Sequence, residues 1–295
     1  MSEIDPVVAH RSLLFGIAYR MLGSVADAED ALQDTYLRWH RAVGEGTEIR
    51  APKAWLAKTI TRICLDQLGS ARAKRETYVG PWLPEPLVDG QVPDVAEVVA
   101  DTDSLSTAFL LLLETLSPKE RAVFLLHDVF AYEFSAIAGI VGESEAYCRQ
   151  IARRARAHVE ARRPRFSAPV DQQRRLTERF VRALQEGDMP GLVDLLAEDA
   201  TVWSDGGGKV TAARKPVSGR DKVATFLVNI VKLAPPGTTF RPTVVNGSPG
   251  LVTLVAGRPI NVVSFEFVGE RVRAIFVVVN PDKLTHLHHD LVFPL

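Results

Sequence analysis

Apolar positions keep a helical period through roughly the first 165 residues and give way to short β-branched runs after about residue 200. Leu14, Ile17, Ala18, Met21 and Leu22 fall at i, i+3, i+4, i+7 and i+8, one face of a helix that Gly23 and Ser24 interrupt. A second helix is expected from about Ala26 to Ala42. A third starts near Pro52, a favourable first helical residue, after the loop Gly44 to Ala51. Residues 77 to 104 lose the period: Pro81, Pro84, Pro86 and Pro93 stand among six acidic residues with no Lys or Arg, the composition of a linker. Ser117, Pro118 and Glu120 then form a capping box that opens a second helical block, whose last helix should end near Pro164. After Pro169 come a helix through Leu176, Phe180, Ala183 and Leu184, a turn from Gly187 to Gly191, and a short helix on Leu192, Leu195 and Leu196. The β-branched segments Thr239 to Val245, Leu251 to Ala256, Ile260 to Phe267 and Val272 to Val279 predict a curved antiparallel sheet. The expected organisation is two all-α domains, 1–76 and 105–165, joined by a linker at 77–104 and followed by an α+β domain at 170–295.

Within the second block, Glu133 to Val141, the Gly142 turn and a helix from Ser144 have the spacing of a helix-turn-helix. On its second helix Cys148, Ile151, Ala152, Ala155 and Val159 form an apolar stripe, and Arg149, Arg153 and Arg156 share another face, where they can meet phosphates or guanine edges. The helix around Asp27, Asp30 and Asp34 is acidic on one face and cannot dock on phosphates. It is either solvated surface or a face for another protein. The third helix sets Leu56, Ile60, Ile63 and Leu68 against Lys53, Lys58, Arg62, Arg72, Lys74 and Arg75, with Trp55 near its start. An aromatic beside positive charge suits unstacked bases, and equally a core position.

The chain of 295 residues is long enough for several cores. Its 46% apolar and 24% charged residues are those of a soluble protein, and no apolar run approaches a membrane span. The opening MSEIDPVVAH lacks the pattern of a secretory signal and two cysteines cannot build a disulfide framework, so a cytoplasmic protein with no membrane partner is expected. A net charge of −1 means that any contact with DNA rests on local patches.

These residues resemble an extracytoplasmic-function sigma factor. DAEDALQDTYLRWHRA, residues 27 to 42, is similar to the polymerase-binding helix of region 2. PKAWLAKTITRICLDQL, residues 52 to 68, is similar to the helix that melts and reads the −10 element, and residues 117 to 159 are similar to region 4, which reads the −35 element. The resemblance implies that Asp30, Gln33 and Asp34 contact the β′ clamp of RNA polymerase core, with the β flap as a further contact. It implies that Lys53, Trp55, Leu56, Lys58, Arg62, Arg72 and Arg75 serve the −10 element, and that Ser144, Arg149, Gln150, Arg153, Arg154 and Arg156 serve the −35 element. Arg62 stands where many members carry Asn. YVGPWLPEP at 78–86, DGGGK at 205–209 and NPDKL at 280–284 resemble the SigJ-like subgroup, whose C-terminal domain is SnoaL-like, that is, nuclear-transport-factor-2-like. There the extra domain is held to stand in for a separate anti-sigma protein. By that resemblance Tyr78, Pro81, Trp82, Leu83, Pro84, Asp205, Lys209, Asn280, Pro281, Asp282 and Lys283 form a regulatory intramolecular contact. Apart from any family, Tyr78, Trp82 and Leu83 are large apolar groups in a linker too short to bury them, and need a neighbouring surface.

No catalytic residue, cofactor or metal is assigned. Two other readings stay open. SnoaL-like folds hold pockets and some relatives are isomerases or cyclases, which makes Asp205 a candidate base and leaves room for an unidentified small ligand. A buried Asp205 with a raised pKa in a closed pocket would favour the enzyme, and an Asp205 at a domain contact would favour regulation. The cluster His286, His288, His289 and Asp290 could bind a metal, or be solvated.

Overall fold

Gly23 takes the left-handed conformation at φ 68°, its N–H bonding the Tyr19 carbonyl, and Ser24 directly afterwards caps the next helix by accepting from the Asp27 N–H at 3.1 Å. The break read from these two residues is therefore a paired helix stop and start. The computed structural model describes residues 5–88, 102–161 and 168–288. It divides the chain into two compact units. One holds the helices up to Thr77 and those from Phe109 to residue 161, with 102–105; the other holds Tyr78 to Val88, residues 106–108 and everything described from Ala168 onward.

In the first unit, α1 (Pro6–Ala9), α2 (Arg11–Leu22), α3 (Val25–Gly44) and α4 (Pro52–Glu76) precede a 3-10 turn (Thr102–Leu105) and α5 (Thr107–Leu113), whose residues 107 and 108 belong to the second unit. There follow α6 (Pro118–Phe124), which runs on as a π turn (Leu125–Val129), α7 (Phe134–Val141) and α8 (Glu145–Glu160). Every residue of α2 from Leu13 to Leu22 is buried, so α2 is the central helix against which α3 and α4 pack. Two arginines inside this unit are almost fully buried and satisfied by hydrogen bonds. Arg20 donates to the Ser104 hydroxyl (3.0 and 3.2 Å) and the Gly16 carbonyl (3.2 Å). Arg121 donates to the carbonyls of Leu113 (3.0 Å) and Met21 (2.5 Å) and pairs with Glu114 at 2.7 Å. Ser117 and Glu120 form the expected capping box, and Gly142 ends α7 in the left-handed conformation at φ 72°.

In the second unit, α9 (Val170–Glu186), α10 (Met189–Leu195) and α11 (Arg220–Lys232) pack on a six-stranded sheet of order β2-β1-β6-β5-β4-β3. The strands are β1 (Leu196–Asp205), β2 (Val217–Ser218), β3 (Thr238–Val245), β4 (Ser248–Val255), β5 (Arg258–Val268) and β6 (Arg271–Val278). Leu176, Phe180 and Leu184 of α9 and Val223 and Leu227 of α11 share one core with Leu251, Phe265, Phe267 and Ile275 of the sheet; the Phe180 and Phe265 rings meet edge to face at 5.1 Å.

Two expectations are corrected here. The sheet is mixed rather than antiparallel, because β1 lies parallel to β6, with Asp205 opposite Val278. Leu196 continues the apolar spacing of Leu192 and Leu195 but is the first residue of β1, paired with Val272. The exposed Glu198 and Asp199 break the alternation that would have marked β1 as a strand. Among the described residues no helix is long and apolar enough to cross a membrane.

Candidate functional site

The parallel pairing of β1 and β6 sets the first site, because both strands end at the same edge and deliver their following loops side by side. After β1 comes the Gly206–Gly208 turn; after β6 comes Asn280 and then a 3-10 helix, Pro281–His288. The Asp205 carbonyl accepts from the N–H groups of Val279 and Asn280, both at 2.9 Å, which ties the loops together. Asp205 itself is fully buried. One carboxylate oxygen accepts from the Tyr78 hydroxyl (2.6 Å) and the Gly207 N–H (3.1 Å). The other accepts from the Leu83 N–H (2.8 Å) and the Lys283 ammonium (2.8 Å). Four donors fill the four lone-pair directions of the carboxylate.

Lys283 also donates to the Leu83 carbonyl, and its ammonium lies 4.4 Å from the Trp82 ring centre and 5.0 Å from that of Tyr78. The Tyr78 hydroxyl accepts from the Asn280 amide at 2.9 Å. Burial first, and the Asp205 carboxylate second, hold the Tyr78 phenol well above its ordinary range, so it remains a donor. Gly207 and Gly208 have φ of 59° and 73°. A Cβ on Gly207 would stand 2.3 Å from the Asn280 amide nitrogen and one on Gly208 3.1 Å from Val79, so the turn needs glycine both for its backbone and for the linker's approach.

The linker continues along the same unit. His286 meets the Pro86 carbonyl at 2.9 Å. Leu87 exchanges two bonds with Asn246, its N–H donating to the side-chain oxygen (3.2 Å) and its carbonyl accepting from the backbone N–H (2.8 Å), and Val88 bridges Val245. Leu83, Leu87 and Val88 are buried, each removing apolar area worth about 2 kcal/mol. Pro81, Pro84 and Pro86 carry no N–H, so an extended segment can lie on a protein surface with few donors left to satisfy.

Several sequence-level assignments change in detail. The fully buried anchor is Leu83, while Trp82 is half-buried beside the Lys283 charge. Lys283 pairs with Asp205 and Lys209 with Asp282. Asn246, His286, Leu87 and Val88 were not foreseen. The Asn246–Gly247 dipeptide signals a hairpin turn, and Asn246 does sit there at φ 51°, but nothing in that signal points to the linker.

The helix-turn-helix comprises α7 and α8. Ser144 caps α8 by accepting from the Tyr147 N–H at 3.2 Å, and the stripe from Cys148 to Val159 is buried as its period requires. Arg149 pairs with Glu145 and lies 5.2 Å from the Phe134 ring centre; Arg156 pairs with Asp128 at 2.5 Å and Arg154 with Glu120 at 3.9 Å. Gln150 and Arg153 are exposed, and Arg153 has no ion pair among the described residues. In α4, Lys53 is exposed and Trp55 is partly buried against Trp39, ring centres 5.5 Å apart. Leu56 is fully buried in the helical core, because the apolar side of α4 is the side that packs. Lys58 is half-buried and Arg62 reaches α7. Arg72 and Arg75 fall where side chains lie outside the described residues. On α3, Asp30, Gln33 and Asp34 are exposed together, beside exposed Tyr36 and Leu37.

Cys64 and Cys148 are fully buried, and burial pushes both thiols up, so neither is poised to react. Of the C-terminal histidine cluster, His289, Asp290 and the side chain of His288 lie outside the described residues. Among the described residues no three His, Cys, Asp or Glu side chains converge on a point.

A helix-turn-helix with an arginine face, a second helical module and an α+β domain that grips the linker define a DNA-binding transcription initiation protein. Residues 7–74 match the Sigma-70 region 2 family, 106–159 the Sigma-70 region 4 family and 177–282 the SnoaL-like domain family. The chain is 39% identical to the extracytoplasmic-function RNA polymerase sigma factor SigJ of Mycobacterium tuberculosis, over 96% of its own length and 93% of that protein's. It is 31% identical to the "Probable ECF RNA polymerase sigma factor SigI" of the same species, over 99% of both chains. Its structure superimposes on the crystal structure of Mycobacterium tuberculosis SigJ with a TM-score of 0.76 at 34% identity, covering 94% of this chain and 96% of that one. The chain belongs to the extracytoplasmic-function sigma factors, alternative subunits that direct RNA polymerase core to promoters.

Proposed function

We propose that the C-terminal α+β domain regulates this sigma factor by capturing its own linker, and that the buried Asp205 is the centre of the capture. The observation that carries the reading is the saturation of that carboxylate by Tyr78, Leu83, Gly207 and Lys283, two of which belong to the linker. A general base needs a lone pair free for a substrate proton, and all four directions here already receive donors. The geometry therefore favours regulation over proton abstraction. Linker capture limits the relative placement of the region 2 and region 4 modules, and with it their engagement of polymerase and promoter. Replacing Trp82 by Ala removes one wall of the Lys283 cage. In transcription with purified polymerase core, Trp82→Ala is expected to change transcript yield severalfold while the ranking of promoter sequences stays the same. Equal yield would refute the regulatory role of the contact.

In the same reading α8 meets the −35 element, α4 the −10 element, and the α3 face of Asp30, Gln33 and Asp34 the polymerase clamp. Arg153 is the residue of α8 that enters DNA without first giving up an ion pair. Arg153→Ala is expected to weaken promoter binding by the holoenzyme by about 1–3 kcal/mol if the guanidinium reads a base, selectively for one −35 position. A phosphate contact would instead weaken all sequences alike and lower the salt dependence by about one ion. Unchanged binding would remove Arg153 from the interface.

A further inference from the structure

Arg62 lies on the side of α4 assigned to the −10 element, yet its guanidinium is engaged inside the protein. Its Nε donates to the Ile140 carbonyl at 3.0 Å and a terminal nitrogen donates to the Gly139 carbonyl at 3.2 Å. These carbonyls are in the last turn of α7, where the helix dipole is negative and carbonyls lack intrahelical donors, so a two-pronged cation is well matched to them. The two modules are fastened again by Arg121 of α6 on the Met21 carbonyl at the end of α2. Beside Arg62 the modules leave a cleft of about 630 Å³, lined by Asp66, Lys119, Glu120, Tyr147 and Arg154 among others. The interface thus includes two arginines that donate to helix-end carbonyls, one of them exposed and one buried.

We propose that Arg62 is shared between this clasp and promoter DNA, so that region 4, through the end of α7, competes with the −10 element for it. The proposal rests on the reading of α4 and α8 as the −10 and −35 helices. The two elements are centred about 25 base pairs apart, roughly 85 Å of duplex at about 3.4 Å per base pair. With α4 bonded directly to α7, and α8 following α7 after a short turn and rising only about 24 Å along its 16 residues, the clasped modules cannot span that distance. Occupying both elements therefore requires the clasp to open, and opening frees the Arg62 guanidinium for bases or phosphates. Arg20 and Arg121 are almost fully buried and neither lies on α4. Arg62 remains largely exposed along its length and can change partners.

The test is energy transfer between dyes on the full chain at Arg41→Cys in α3 and Glu160→Cys in α8, both exposed positions; Cys64 and Cys148 are buried and stay unlabelled. The free wild-type chain should give high transfer that falls when polymerase core and promoter DNA are added. Arg62→Ala, having lost both hydrogen bonds, should raise the open-to-closed ratio of the free chain about tenfold, with Arg62→Lys, which keeps the charge but not the fork, lying between. Circular dichroism checks that each variant is folded. Low transfer in the free wild-type chain, or identical transfer in Arg62→Ala and wild type, would overturn the clasp. An Arg62→Ala chain that opens, but whose holoenzyme binds −10 variants just as wild type does, would overturn the competition and with it the −10 role of Arg62, leaving the fastening alone.

Discussion

Asp205→Ala will release the linker from the α+β domain. The substitution strands the Lys283 ammonium, which is only 7% exposed, without its anion, and removes the acceptor for Tyr78 and the Leu83 N–H. Breaking a buried ion pair from one side costs about 3–5 kcal/mol, most of it the penalty of the orphaned charge. If that falls on linker docking, the opening equilibrium shifts by roughly 150-fold or more. The measurement is hydrogen exchange at Leu83 and Leu87, whose N–H groups donate to Asp205 and Asn246 and should lose protection together. The double variant Asp205→Ala with Lys283→Met should recover part of the loss, since no charge is then left buried. Unchanged protection in the single variant would mean that the linker is held by apolar burial of Leu83, Leu87 and Val88 without help from the network.

Asp34→Lys will abolish binding to polymerase core. Asp34 is exposed on the α3 face with Asp30 and Gln33 and has no ion pair among the described residues, so the fold should tolerate the change. At a complementary interface a reversed charge adds repulsion to lost attraction, several kcal/mol in all, and the expected loss of affinity is about 100-fold or more. Asp30→Lys should act alike. Circular dichroism and thermal unfolding of the free chain should match wild type, and core binding by fluorescence anisotropy should not. Retained affinity in both variants would reduce this face to solvated surface.

The helical front was legible because its signals are local. Gly23 and Ser24, Pro52, the capping box at Ser117 and Gly142 each act within a turn or two, and the apolar stripe of α8 follows from its own period. The Asp205 site was legible only as a set of residue types. Its geometry depends on β1 lying parallel to β6, a long-range pairing that no local pattern encodes, and β1 was hidden by Glu198 and Asp199. Lys283 is a surface cation by composition and becomes buried only because the two strand ends meet. The burial of Leu56 was not legible, because apolar residues beside a basic face read alike whether they stack on bases or fill a core. Asn246 carries a second contact that a hairpin signal cannot announce.

The linker's partners lie far downstream of it in the chain: Lys283 is 200 residues beyond Leu83. At a ribosomal rate of about 5–20 residues per second, roughly 10–40 s separate synthesis of the two. During that interval the region 2 and region 4 modules are made in full before Lys283 exists to hold the linker. Every newborn copy therefore passes through a stage in which the Lys283 contact has yet to form.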